Sequence, residues 1–279
     1  MSDWLIDGIP AGSLPVTDRG FQYGDGLFET VAVRAGEPRF LDRHLQRLES
    51  GMKRLGIAPV SGLTAAAAAE VRRLALECGS GAAKVIVTRG TGPRGYRLPP
   101  MPAPMRLVGV MPAGRLPREN YEQGIALRVC RTPVGWNPVL AGMKTLGRLE
   151  QVLARAEWND PGIAEGLMLD REQRIVGGTM TNFFVVSGGR LCTPSLAGAG
   201  VAGIMRGLVL EQAEAAGLEF RERDMTVDGL RDDDELFVTN SQVGIWPVCR
   251  VDERPFVPGA WTRRLMARLT AIGVEECAC

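Results

Sequence analysis

Runs in which apolar and polar residues alternate, or in which β-branched and apolar side chains follow one another, occur at residues 27–33, 84–88, 106–111 and 126–130 and predict β-strands. Between the first two the period lengthens to that of a helix. Leu41, Leu45, Leu48, Met52 and Leu55 line one face of residues 41–55, and Gly56 supplies the stop. A second helix, over 64–78, is rich in alanine and ends at Gly79. Residues 113–120 combine proline, glycine and charge and predict a linker.

Beyond the linker, strands are predicted at 166–170, 174–176, 183–186, 235–239 and 245–250, and helices at 145–158, 204–216 and 260–272. Strands and helices do not alternate steadily, so a parallel βαβ sheet is not the expected architecture. The order predicts an α+β fold of two lobes. A smaller N-terminal lobe spans 1–112 and a larger C-terminal lobe spans 121–279, with the active site expected in the cleft between them.

Composition narrows the chemistry. Lys+Arg 33 against Asp+Glu 32 leaves a net charge of +1, which supplies no electrostatic case for nucleic acid. No apolar run approaches the ~20 residues of a membrane helix. The N-terminus lacks the basic and apolar segments of a secretory signal, so a cytoplasmic protein is expected. Cysteines at 78, 130, 192, 249, 277 and 279 are scattered, and Cys-Ala-Cys at 277–279 is not a zinc spacing. The other four are expected to be small buried hydrophobes. His44 is the sole histidine, which excludes a two-histidine zinc site and allows a nucleophile–histidine triad only through that residue. No metal is expected. An enzyme built from this chain must work through lysine, tyrosine, carboxylates or a cofactor.

Lys144 follows Trp136-Asn137-Pro138 and is expected to open the 145–158 helix. An amine projected from such a turn into a cleft loses solvation, which favours the neutral form that makes a Schiff base; the alternative is a solvated surface charge. Three other segments could hold a phosphorylated cofactor. Residues 197–206 place glycines directly before a helix, where backbone N–H groups and the helix dipole favour an anion, although a flexible turn has the same composition. Arg47 lies beside the apolar stripe of the 41–55 helix and could reach inward to a phosphate or snorkel at the surface. Thr239 and Ser241 could donate hydroxyls to phosphate or bond their own turn. His44 is expected to be a structural hydrogen-bonder.

Taken in order, the segments resemble the fold-type IV pyridoxal phosphate enzymes, the group of D-amino acid and branched-chain aminotransferases. The resemblance is carried by Asp18-Arg-Gly-Phe-Gln-Tyr-Gly-Asp-Gly-Leu-Phe-Glu-Thr30, His44-Leu-Gln-Arg-Leu48, Lys144, Thr181-Asn-Phe-Phe184, Gly200-Val-Ala-Gly-Ile-Met-Arg206 and Trp246-Pro-Val248. Residues 88–96 and 140–151 resemble, within that group, the aminodeoxychorismate lyases, which split 4-amino-4-deoxychorismate into 4-aminobenzoate and pyruvate on the route to folate. The resemblance implies pyridoxal 5'-phosphate as cofactor, with Lys144 as the Schiff-base lysine. Arg47, Ser241 and the backbone of Gly203, Ile204 and Met205 would hold the phosphate. Arg94 and Arg89 would meet the substrate carboxylates, with Tyr96 as a hydroxyl donor and Thr30 facing the cofactor. It also implies a homodimer with the active site near the subunit boundary.

Two positions depart from the pattern. Relatives commonly carry glutamate where this chain has Gly177, to bond the pyridine nitrogen, and the lyases often have asparagine where it has Gly147. The nearest upstream carboxylates are Asp170 and Glu172. Without that glutamate the ring is a shallower electron sink, which transamination needs more than a lyase reaction that ends in an aromatic ring. An aminotransferase for D- or branched-chain amino acids is the second reading, and a non-catalytic cofactor-binding homologue the third.

Overall fold

The computed structural model describes residues 4–57, 61–101, 103–114 and 116–278; Arg115 in the expected linker and Cys279 of the Cys-Ala-Cys tail lie outside these. Two units form, one of residues 1–114 with 143–147 and one of 115–142 with 148–279. Each combines helices with a sheet, the α+β class that the patterning predicts. No helix among the described residues is long and apolar enough to cross a membrane.

The first unit contains β1 (Trp4–Ile6), β2 (Ile9–Pro10), α1 (Arg19–Tyr23), β3 (Gly26–Arg34), β4 (Glu37–Pro38), α2 (Leu41–Leu55), α3 (Leu63–Cys78), β5 (Gly81–Thr88) and β6 (Met105–Pro112). The strands make one antiparallel sheet in the order β2-β1-β6-β5-β3-β4. Strand alternation gives this sheet two unlike faces. Leu27, Val31 and Val33 of β3 and Ala83, Val85 and Val87 of β5 join one core with Leu41, Leu45, Leu48 and Met52 of α2 and Ala67, Val71 and Ala75 of α3. The intervening residues, Phe28 and Thr30 on β3 with Lys84 and Ile86 on β5, occupy the other face and are half-buried. Helix α2 has the predicted bounds. Gly56 ends it in the left-handed region at φ 62°, returning its N–H to the Met52 and Lys53 carbonyls.

The second unit contains α4 (Glu119–Glu122), β7 (Ile125–Val129), α5 (Leu149–Arg155), β8 (Ile163–Leu169), β9 (Ile175–Gly178), β10 (Asn182–Ser187), β11 (Arg190–Thr193), α6 (Ile204–Ala215), β12 (Phe220–Glu222), β13 (Glu235–Asn240), β14 (Gly244–Val251), β15 (Arg254–Pro255) and α7 (Ala260–Ala271), with a 3-10 turn at Glu275–Cys277. Its mixed sheet runs β12-β11-β10-β13-β14-β7-β8-β9, with β15 on β14. Phe184 of β10 and Phe237 of β13 are register partners with no exposed surface, and their rings stack 4.9 Å apart.

One element is shorter than its pattern. The helix expected over 145–158 is α5, Leu149–Arg155, because Thr145 pairs with Leu27 of β3 and the residues up to Arg148 are not helical. Tertiary pairing overrides helical spacing there. The same detour explains why residues 143–147 belong with the first unit.

Replacing Phe237 by Ala is expected to cost about 3–5 kcal/mol through lost burial and an unfilled cavity. Chemical denaturation should show a lower midpoint with an unchanged slope. A midpoint equal to that of the wild-type protein would contradict the packing assigned to this pair.

Candidate active site

Lys144 is positioned by its backbone. Strand β4 pairs only with Val33 and Arg34 at the far end of β3, and residues 144–146 take the place beside Gly26–Phe28. The Phe28 N–H donates to the Lys144 carbonyl (3.0 Å), the Leu146 N–H donates to the Gly26 carbonyl (3.0 Å), and Thr145 bridges Leu27. Lys144 Nζ then stands 4.5 Å from the Phe28 ring centroid, half-buried. A contact of this kind holds an ammonium by roughly 0.5–2 kcal/mol. The expected helix opening is thus a sheet edge, a more rigid mount for the lysine side chain.

On the opposite face of β3, Glu29 is 1% exposed. It accepts Arg47 Nε at 2.8 Å and Nη2 at 2.5 Å, and His44 Nδ1 lies 2.7 Å from its Oε2. Burial alone would raise the carboxyl pKa, but the donors on His44 and Arg47 outweigh it and Glu29 titrates below its ordinary value. Burial pushes His44 down, against the pull of Glu29, so the ring is neutral and directs Nδ1–H to the carboxylate. His44 is therefore the structural hydrogen-bonder expected of it. Arg47, expected at a phosphate, turns two donors of its guanidinium to Glu29.

In the second unit, Gly203 is the N-cap of α6, with no capping side chain and no acidic residue in the first turn. A β-carbon there would come within 2.1 Å of Asn182 Oδ1, so a larger residue would have to displace that side chain. Asn182 Nδ2 donates to the Val201 carbonyl (2.9 Å), and Asn182 is the register partner of Thr239. One asparagine thus ties the start of α6 to the end of β13, two residues before Ser241. The Thr239 hydroxyl donates to the Gly244 carbonyl at 2.5 Å and serves the turn. The N–H groups of Gly203, Ile204 and Met205 thus open α6 with no carboxylate in its first turn, where the helix dipole favours negative charge.

The arginines expected at the substrate separate into two kinds. Arg89 is buried, and its Nε donates to Asp25 (2.8 Å), Nη1 to the Gly56 carbonyl (2.8 Å) and Nη2 to the Leu55 carbonyl (2.9 Å). It closes the C-terminal end of α2, which corrects its assignment to a substrate carboxylate. Asp25 also accepts Arg19 Nε at 2.8 Å; despite burial, the two guanidinium groups hold its carboxyl below the ordinary value. Arg19 Nη1 goes on to the Gly95 carbonyl (3.0 Å) and so ties down the loop that carries Arg94 and Tyr96. Arg94 is exposed, with no hydrogen bond or ion pair among the described residues. Tyr96, 84% exposed, meets Tyr23 edge-on at 5.5 Å. Thr30 lies on the half-buried face, opposite Lys84.

Gly177 has φ 156°, and a β-carbon on it would meet the Thr181 carbonyl oxygen at 2.9 Å. A glutamate therefore does not fit that backbone unchanged. The carboxylate that reaches this turn comes from β8. Glu165 accepts from Thr179 Oγ1 (2.5 Å) and N (3.1 Å), Met180 N (3.1 Å), Thr181 Oγ1 (3.0 Å) and Gly166 N (2.8 Å). Burial raises its pKa in spite of these donors. Asp170 and Glu172, closer in sequence, pair with Arg174.

The signs of these shifts set an acid limb of stability. Glu29, depressed, contributes in full above its ordinary value of 4.5 and loses that contribution as pH falls through its folded value; His44, depressed from 6.5, also favours folding at higher pH. Glu165, raised, acts in the opposite sense. Glu29→Gln is expected to lower stability at pH 7 by about 3 kcal/mol, since it leaves Arg47 without its anion, and to flatten the loss below pH 4.5. Denaturation midpoints across pH check this, and parallel acid limbs in the two proteins would contradict it.

The model of the family described as amino-transferase class IV matches residues 26–251. The aminodeoxychorismate lyase of Vibrio harveyi is 34% identical over 270 residues, which cover 95% of this chain and 98% of that protein. A putative branched-chain-amino-acid aminotransferase of Methanocaldococcus jannaschii is 32% identical over 243 residues, covering 86% and 83%. The crystal structure of 4-amino-4-deoxychorismate lyase from Pseudomonas aeruginosa has a TM-score of 0.92 to this chain, with 48% identity and coverage of 97% and 99%. The matched span opens at the first residue of β3 and closes at the last of β14, enclosing Lys144, Gly177 and the start of α6. This chain belongs to the amino-transferase class IV family.

Proposed function

We propose that this chain is a pyridoxal phosphate-dependent lyase that converts 4-amino-4-deoxychorismate to 4-aminobenzoate and pyruvate. Near full-length similarity to two lyases of that name supports the substrate. Gly177 carries the choice of lyase over aminotransferase. Its backbone and the Thr181 carbonyl leave no room for the carboxylate that relatives place at a pyridine nitrogen, and a reaction that ends in an aromatic ring leans less on a protonated pyridine.

The residues present fit the cofactor. The uncapped start of α6, with Gly203 close against Asn182, suits a phosphate, and Lys144 supplies an amine beside an apolar ring. The backbone of Gly203, Ile204 and Met205 with Ser241 would hold the phosphate, and Arg47, oriented by Glu29, is the proposed cation toward it. When bound, pyridoxal phosphate supplies an aldehyde for an amine and a ring that accepts electrons. Lys144 is the proposed tether. As a neutral amine, its Nζ takes the proton from the substrate carbon that bears nitrogen. Loss of that proton and of the enolpyruvyl group, which is protonated to pyruvate, leaves the aromatic ring. Phe28 shields one side of Nζ from water. Arg94 meets a substrate carboxylate from the loop that Arg19 secures, and Tyr96 offers a hydroxyl there. By the same resemblance the protein works as a homodimer.

Purified protein with added pyridoxal phosphate and 4-amino-4-deoxychorismate should release 4-aminobenzoate and pyruvate in equal amounts, and Lys144→Ala should abolish both. Arg94→Ala should raise KM about tenfold, the loss of one charge-assisted contact. Amino-group transfer to a keto acid without release of pyruvate would replace this reading with the aminotransferase one. Most activity surviving in Lys144→Ala would refute the role given to that lysine.

A further inference from the structure

Lys84 lies in the middle of β5, the strand between β3 and β6, where no sheet edge needs a lysine for protection. Alternation puts it on the half-buried face, opposite Thr30 and on the same side as Phe28. Its Nζ is 5.1 Å from the centroid of the Phe28 ring, which Lys144 Nζ approaches at 4.5 Å. The two nitrogens are therefore no farther apart than those distances laid end to end, 9.6 Å. That lies within a Debye length of about 10 Å at 0.1 M salt, and partly buried charges are screened less than the length implies. At the effective dielectric of a protein surface, two unit charges so placed shift each other's titration by about one pH unit. The remaining charges near this stretch of β3 are tied to partners. Glu29 faces the other way, against Arg47 and a neutral His44 that also feels the Lys144 charge, and Asp25 is held by Arg19 and Arg89. Among the described residues the Lys84 ammonium has no hydrogen bond and no ion pair.

We propose that Lys84 is a positioning residue for Lys144: across the shared Phe28 ring, its charge disfavours a proton on the Lys144 nitrogen. The inference rests on the reading above of Lys144 as cofactor lysine and proton acceptor. Both tasks need that nitrogen neutral, whereas an ordinary lysine, titrating at about 10.4, holds its proton at pH 7. The ring itself works the other way, because its face attracts an ammonium. That attraction is there whether or not Lys84 is charged, so the difference Lys84 makes is repulsion alone. A mid-strand mount fixes the distance over which this repulsion acts.

Lys84→Met keeps the side-chain stem and removes the charge. In the full-length chain before cofactor is added, competitive acetylation with acetic anhydride across neutral and alkaline pH, mapped by mass spectrometry, gives the Lys144 midpoint. Lys84→Met should raise it by about one pH unit, which is about a tenfold smaller neutral fraction at pH 7. After loading with pyridoxal phosphate, the pH midpoint of the Schiff-base absorbance should rise in the same sense. Lys84→Arg should keep both midpoints at wild-type values. About 1 M salt, which shortens the Debye length to about 3 Å, should raise the wild-type midpoint and leave that of Lys84→Met nearly unmoved. Should Lys84→Met fail to fold, Lys84→Gln carries the same comparison. Unchanged midpoints in a folded charge-free variant would overturn the inference, as would Lys84→Arg shifting them as far as Lys84→Met. The shift in a protein that releases no 4-aminobenzoate would uphold the repulsion and refute the lyase reading alone.

Discussion

Two backbone hydrogen bonds, from the Phe28 N–H to the Lys144 carbonyl and from the Leu146 N–H to the Gly26 carbonyl, decide where the Lys144 amine stands. They recruit residues 144–146 to the part of β3 that the short β4 leaves uncovered. The helix that would otherwise begin there is delayed to Leu149, and Nζ is delivered to Phe28. Strand β3 is thereby used on both faces. Its buried face holds the apolar core and the Glu29–His44–Arg47 cluster, and its half-buried face carries Phe28 and Thr30 beside Lys84. A substitution that broke the edge pairing would move the lysine without touching its chemistry.

The buried carboxylates work inward and leave selected cations open. Glu29 orients Arg47, Asp25 joins Arg19 to Arg89, and Glu165 gathers the turn at residues 179–181. Each is surrounded by donors, as a buried charge must be. Arg94 and Lys84 have no such anion among the described residues. Two such cations, Lys84 beside the Phe28 ring and Arg94 on an exposed loop, suit the substrate with two carboxylates of the proposed function.

Local periodicity was legible along the chain, and cross-chain pairing was not. The stripe from Leu41 to Leu55 marked α2 to its last residue because a helix is written by neighbours three and four positions apart. Residues 145–158 suggest a helix, yet a partner more than a hundred residues away decides otherwise at its start. Arg89 resembled a substrate arginine until the structure showed its donors on Asp25 and the end of α2. Glu29 and Lys84 were passed over as members of apolar runs. A lone charge inside such a run was the available signal, and its meaning came only from the face it occupies. Glu165 was missed for a related reason, since sequence distance pointed to Asp170 and Glu172 for the turn after Gly177.

The central claim is that the edge-mounted Lys144 is the cofactor lysine. The chain has three lysines, Lys53, Lys84 and Lys144, so the claim can be read from one labelling pattern. The protein would be loaded with pyridoxal phosphate, reduced with borohydride, digested and mapped by mass spectrometry. A stoichiometric phosphopyridoxyl label on Lys144 alone is the predicted result. A label on Lys84 or Lys53, or none on Lys144, would contradict the account.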